Sequence, residues 1–517
     1  MRTHNSRQPM AQVTEVKIED GQLHLAGSFA LCCPLPEQDE WLPKKLEAAI
    51  ESGGQVIKRQ LFRQALEKAD VELLLAQRRG KDGQGFQRRG RKRYPFKTVF
   101  GTVYVRRQQV QQKADGRVVM PSAQAWQTPE RMCITAGLRA AVCDAMLEQS
   151  VRKTAARVAE RAGEANLLSP AESLKIVHEE GECLQAVLQE RAAQVLAEDP
   201  EAARQLLPAR EEESVPGSAE EADRAGEELA EADVGAVEES GVAEDVEAPS
   251  APLGFPGSAV AAADSAREQP RQVDPGYVIV EPDEVEVHAQ AATGRQSVLV
   301  YTAVILTAAR TWHVAAGSTA QVIQQVAAVL ACLGVHQGRC SLLFLADGAG
   351  WIRAWFRKLT VAHKAMILCW YHLVRRCEQQ LSMACKGRKH REEVQAEVLG
   401  HLWEGRVDEA LAALEARRGE MKVGLALDQL IGYLVKRREY LPNYRARQQA
   451  GLWIASNRVE KFNDWSVTER CKHQGMAWTE TGVTALATLE ASKRNGELNP
   501  WRESRQLPPW ATQRQAA

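Results

Sequence analysis

At 517 residues the chain is too long for a single core and is expected to divide into two or three domains. Its formal charge of −1 conceals an internal division, because 18 acids face only three arginines between Glu198 and Glu247 and the remainder is net basic. No run of about 18 apolar residues exists, Met1–Glu15 has no signal-peptide core, and the eleven cysteines include no C-x-x-C pair, so a soluble, cytoplasmic chain with reduced thiols is expected rather than a membrane-spanning or disulfide-bonded one.

Residues 41–77 are predicted helical, with Leu61, Leu66, Val71, Leu74 and Leu75 among the apolar positions. A basic stretch follows, Arg78–Arg107, with eleven Lys or Arg and one acid, Asp82. It interleaves Arg88, Arg89, Arg91, Lys92 and Arg93 with Phe86, Tyr94 and Phe96. Charge of this density binds phosphate backbones with little sequence preference; a solvated surface loop is the plainer alternative. The end of the stretch, Phe96–Val105, suggests two short strands around a turn at Gly101. Residues 1–125 are thus expected to form a basic, DNA-binding region, and 126–196 a helical one. Within the latter, Ser150–His178 reads as a helix, a break near Gly163, and a second start at Ser169-Pro170-Ala171-Glu172. That start has an N-cap serine, proline at N1 and an acid at N3, and the pair resembles a helix-turn-helix.

Residues 197–272, rich in Ala, Glu, Pro and Gly, are expected to be a disordered acidic linker, because they offer too little apolar surface to offset ordering. Pattern returns over 273–480. Strands are predicted at Tyr277–Ala289, Ser297–Leu306 and Thr311–Ala315, a helix at Thr319–Cys332, a strand at 341–346, a helix at 350–358 and a strand at 365–371. This β-β-β-α-β-α-β succession is that of an α/β, RNase H-like fold with a mixed sheet. Residues 373–450 are charged and lack a strand-like run, so they are expected to be an all-α insertion. A tail, 481–517, completes the chain.

Three acids stand out. Asp347 follows the buried-strand run Leu342–Ala346 and precedes Gly348, where ligands of α/β sheets gather; a turn aspartate is the bland alternative. Asp283 alternates in phase with Tyr277, Ile279, Val285 and Val287, a core face on which a carboxylate needs a partner or a metal. Pro282 interrupts that strand, and a bulge there would reverse the phase, leaving Glu281 and Glu284 as competitors. Glu460 lies on a helix predicted over 456–472, sharing its face with Asn463 and Asp464 while Val459, Phe462 and Trp465 cover the other. Cys369 and His372 close the last predicted strand; without a second pair of matching spacing they are expected to support the site rather than to bind zinc.

These residues resemble bacterial insertion-sequence transposases of the DDE class, in a lineage similar to the hAT and Mutator-like enzymes in carrying a helical insertion before the glutamate. The resemblance rests on Ala346–Ile352, on Cys369 and His372, on Ser456–Trp478 with its Arg470-Cys471-Lys472, Gly475-Met476 and Trp478, and on Lys97–Val103. Two departures are Ala455-Ser456-Asn457 in place of a glycine-serine-glycine turn, and Asp283-Glu284 in place of Asp-Gly. The resemblance implies that Asp283, Asp347 and Glu460 hold two Mg²⁺ ions, with Mn²⁺ able to substitute, and that Arg470 and Lys472 contact DNA. It further implies cleavage of element ends and strand transfer into target double-stranded DNA, by a homo-oligomer in a synaptic complex. A decayed transposase that only binds DNA, and an RNase H-like nuclease without transfer, are the alternatives.

Overall fold

The computed structural model describes residues 10–19, 22–30, 42–80, 86–113, 115–129, 131–208, 273–472, 476–508 and 510. They fall into two compact units, Met1–Glu182 and Cys183–Ala517. The linker expected over 197–272 lies, from residue 209 on, outside the described residues.

In the first unit, strands β1 (Met10–Glu19) and β2 (Gln22–Ala30) pair antiparallel; neither was foreseen in the polar N-terminal sequence. Helix α1 (Leu42–Gly80) leads to the long ribbon β3 (Phe86–Thr98) and β4 (Gly101–Gln112). Tyr94, Phe96, Val103 and Val105 alternate onto one side of that ribbon and pack with Phe62 and Leu66 of α1. The turn needs Gly101, whose φ is +108°. Short strand β5 (Val118–Val119), helix α2 (Pro121–Ala125) and strand β6 (Cys133–Ile134) complete this four-stranded sheet in the order β5-β4-β3-β6.

Helices α3 (Ala136–Glu148), α4 (Val151–Ala162) and α5 (Pro170–Glu198) follow. The expected break is real: Gly163 ends α4 in the left-handed conformation. Ser169 and Glu172 then form a reciprocal capping box at the start of α5, Oγ accepting from Glu172 N at 3.1 Å and Oε2 from Ser169 N at 2.8 Å.

Side chains of α1 complete the open strand edges. Gln64 accepts from Val13 N and donates to Ala11 O, each at 2.8 Å, and Lys68 donates to Val13 O at 2.9 Å. Glu67 accepts from Arg106 N at 2.9 Å and the buried Asp70 from Gln108 N at 2.7 Å. A helix thus supplies hydrogen bonds that another strand would otherwise make.

The second unit is a mixed α/β assembly. Helix α6 (Pro200–Leu206) opens on Asp199, whose side chain accepts from Ala202 N. Order therefore persists past Ala197, because Ala202 and Leu206 are fully buried. Strands β7 (Tyr277–His288), β8 (Ser297–Leu306) and β9 (Thr311–Ala316) pair in that order, each antiparallel to the next. Helix α7 (Thr319–Cys332) leads to β10 (Ser341–Ala346), helix α8 (Gly350–Lys358) and β11 (Lys364–Leu368). β10 lies parallel between β7 and β11, giving the order β11-β10-β7-β8-β9.

No bulge accompanies Pro282. β7 pairs with β8 in unbroken register from Ile279–Leu306 to His288–Ser297. Pairing with β10 ends at Val280, so proline follows the point where one edge of β7 becomes free.

The region from 370 to 450 is helical: α9 (Trp370–Ala384), α10 (Arg388–Trp403), α11 (Val407–Ala416), α12 (Gly424–Lys436) and α13 (Tyr444–Gln449). Both ends of this insertion meet, Trp370 N donating to Ile454 O at 2.9 Å. A core of Trp370, Trp403 and Tyr444 rings holds it together, with centroids 4.8 to 6.2 Å apart.

Three expectations are corrected here. The last strand stops at Leu368, not 371, because Cys369 O already accepts from Leu373 N and begins α9. The single helix over 456–472 is instead α14 (Asn457–Asn463), a π-turn over Asp464–Thr468, and α15 (Glu469–Cys471). The tail contains α16 (Glu480–Arg494) and α17 (Leu498–Ser504). α16 packs on β8 and β9, since its apolar stripe Val483, Leu486 and Leu489 is fully buried.

Asp70→Ala is expected to lower the stability of the first unit by roughly 1–3 kcal/mol in urea unfolding, since it leaves Gln108 N and the buried Ser122 hydroxyl without the carboxylate that accepts from them.

Candidate functional site

β7 carries acids at 281, 283 and 284, and the structure gives each a different partner. Glu281, fully buried, accepts from Arg458 N and Val459 N, both at 2.9 Å, and so caps the start of α14. Glu284 accepts from Trp351 Nε1 at 2.9 Å. Asp283, also buried, accepts from Asn463 Nδ2 at 2.7 Å. Asn463 Oδ1 in turn accepts from Thr302 Oγ1 at 2.8 Å, and Thr302 is the residue paired with Asp283 across the sheet.

Asp347 leaves the carboxyl end of β10, and its Oδ1 accepts from Ala349 N at 2.8 Å. Gly348 follows with φ +81°, and a Cβ there would lie 2.8 Å from Leu368 Cδ1. Its carbonyl accepts from Arg353 Nε at 3.0 Å and from Arg437 Nη2 at 2.9 Å, so a residue beyond the end of α12 braces the turn at β10.

Glu460 stands one helical turn before Asn463, its side chain 38% exposed, with Oε1 3.2 Å from His372 Nε2. Cys369, at the start of α9, accepts a hydrogen bond from Ser456 N at 3.4 Å. These contacts join the beginning of the insertion to the segment that follows it.

The site is short of positive charge. Burial pushes the Asp283 carboxyl well above its ordinary range, and the charges of Asp347 and Glu460 push it further. Burial also raises Glu460, opposed by His372 and reinforced by Asp347 and Asp464. Burial would lower His372, but its hydrogen bond to Cys369 and the charges of Cys369, Glu460 and Asp347 raise it to about 10. Burial raises the Cys369 thiol, and His372 outweighs that and holds it below its ordinary value. The imidazolium is thus the internal counter-charge of the cluster. Among the described residues no three His, Cys, Asp or Glu side chains converge tightly enough to form a ready-made metal cage.

Of the basic residues singled out, Arg88, Arg89, Arg91, Lys92 and Arg93 are exposed along β3 in the first unit. Lys472 is exposed as well. Arg470 is buried, which corrects its assignment to a DNA surface: the π-turn before it resets the helical phase and directs this position inward. Gly475 lies outside the described residues. The linking role of Asn463 and Thr302 and the capping role of Glu281 emerge only in the fold. A signal was available for two of them, since Glu281 shares the face of Asp283 and Asn463 lies three residues after Glu460.

The description Uncharacterised protein family (UPF0236) matches residues 37–207, less than half of the chain and outside the carboxylate cluster. No curated protein matches the chain.

Burial lifts the Glu281 carboxyl from 4.5 to about 8, against the pull of its two N–H donors. A folded-state value above the unfolded one gives a contribution fully present below pH 4.5 and lost as pH rises to about 8. Urea midpoints of the native protein should therefore decline across that window. Glu281→Gln, which still accepts from the helix and cannot ionise, should flatten the decline. Gly348→Ala should destabilise by about 1–2 kcal/mol from its left-handed backbone alone, with the Leu368 contact adding to it.

Proposed function

We propose that the chain is a divalent-metal-dependent DNA transposase of the DDE class with an RNase H-like core. The observation that carries this is the placement of three acids: Asp283 on β7, Asp347 at the end of the adjoining β10, and Glu460 on α14 one turn before Asn463, whose Nδ2 donates to Asp283 at 2.7 Å. The strand order β11-β10-β7-β8-β9, with an all-helical segment between β11 and α14, supports the same reading.

The donor set fits Mg²⁺ or Mn²⁺: the three side chains offer only oxygen, which hard cations prefer, and their mutual repulsion leaves room for positive charge. Asp283, Asp347 and Glu460 are the residues that would hold the metal. When bound, it supplies charge neutralisation at the phosphoryl group and acidifies the attacking water or 3′-hydroxyl. Asn463 and Thr302 orient Asp283. Ala349 N and the Gly348 turn fix Asp347. His372 holds a proton at Nε2 against Glu460 and so balances its charge. In this reading the same site cuts element ends and joins them to target duplex DNA within a synaptic homo-oligomer.

A second reading, DNA binding without cleavage, is favoured by one observation, the lack of a ready-made cage among the described residues.

Purified protein incubated with its flanking DNA and Mg²⁺ or Mn²⁺ should cleave and join strands, and Asp283→Asn, Asp347→Asn and Glu460→Gln should each abolish this. Asn463→Ala should retain activity reduced roughly 10–100-fold, the usual cost of losing a residue that orients a metal ligand. Duplex binding with no strand cleavage, equal in native protein and all four variants, would establish the second reading instead.

A further inference from the structure

Seven consecutive residues of β3, Gln87–Arg93, are exposed, and five of them are Arg or Lys with no acid among them. The reason is topological. β6 meets β3 only at Phe96 and Lys97, so along 86–93 the strand has β4 on one side and, among the described residues, no strand on the other. Across the ribbon, exposed Arg106 stands directly opposite Arg93.

Among the described residues none of these six cations makes an ion pair. Their side-chain contacts are with neutral groups: Arg89 Nε donates to Gln111 Oε1 at 2.8 Å, and the Arg93 guanidinium lies 4.0 Å from the ring centre of Tyr104, itself 45% exposed, while Glu67 meets Arg106 at its backbone N. Charge on an open edge commonly serves only to block strand pairing. One or two residues suffice for that. Five like charges in seven positions, with a sixth facing them, carry mutual repulsion that a polyanion relieves.

We propose that the β3–β4 ribbon is a docking element for duplex DNA that enters the major groove, with Arg88, Arg89, Arg91, Lys92, Arg93 and Arg106 on the phosphates of its walls. A two-stranded ribbon is the β element that the major groove admits. The bulge between Arg88 and Gly90, with Gly90 at φ +113°, adds twist at the exposed end, as following a helical groove requires. The proposal rests on the DNA reading above only for the choice of polyanion.

The test is equilibrium binding of the full chain, with metal chelated, to labelled duplex DNA across a salt series. Arg88→Gln/Arg91→Gln/Arg93→Gln should weaken binding and reduce the slope of log K against log salt by about 0.9 for each phosphate that is no longer neutralised. The matching Arg→Lys triple variant should restore the slope. Guanine N7 methylation should interfere and a minor-groove ligand should not. Duplex RNA, whose major groove is too deep and narrow for side chains to read, should compete poorly. An unchanged slope in the Gln variant, no duplex binding by the native chain, equal competition by RNA, or displacement by the minor-groove ligand would overturn the proposal. Ribbon-dependent binding by a protein that never cleaves would defeat the transposase reading alone; cleavage with ribbon-independent binding would defeat this one alone.

Discussion

The candidate site depends on the clamp that β7 places on a segment about 180 residues later in sequence. Glu281 and Asp283 sit two residues apart on one face of the strand, one taking the first N–H groups of α14 and the other the side chain of Asn463. α14 is only seven residues long, too short to persist without tertiary support. The clamp gives it that support and fixes its start and its rotation together. Glu460, one turn before Asn463, then lies where its charge acts on Asp283 and that of Asp347 acts on it. Because the two ends of the helical insertion also meet, at Trp370 and Ile454, the insertion leaves the clamp intact.

Electrostatics sets a second constraint on the same site. Burial and the charges of Asp347 and Glu460 raise the proton affinity of Asp283, and burial with the charge of Asp347 raises that of Glu460, where His372 and Arg375 oppose it. His372 holds its proton because Cys369 and Glu460 both favour the charged ring. Arg437, reaching Gly348 O from beyond α12, adds a brace whose cost of removal would fall on the turn that aims Asp347. The insertion is therefore a structural part of the site as well as an appendage to the sheet.

In the first unit the recurring problem is the open strand edge. α1 answers it with side chains, Gln64 and Lys68 on β1 and Glu67 and Asp70 on β4. The free side of β3 answers it with unneutralised charge. The two solutions differ in consequence: the first closes an edge to all partners, whereas the second stays open to an anion.

Much of this was legible in the residues. The strands at 297–306 and 341–346 and the helices at 319–332 and 350–358 stand where apolar periodicity placed them, because each buries a face or run that only one period can bury. The capping box at Ser169 was readable because cap chemistry is local. The first two strands were not, since their edge bonds go to side chains of α1 about 50 residues away. Nor were the end of β11 at Leu368 and the π-turn after Asn463, which are set by bonds to Ala346 and by the packing of Phe462 and Val467. The order of residues was enough to show that three acids follow or interrupt apolar segments, and it left Glu281, Asp283 and Glu284 as rivals. Folding separated them, giving one a helix to cap, one an indole to hold and one the field of the other two acids, because strand alternation fixes a face while only packing decides what lies against it.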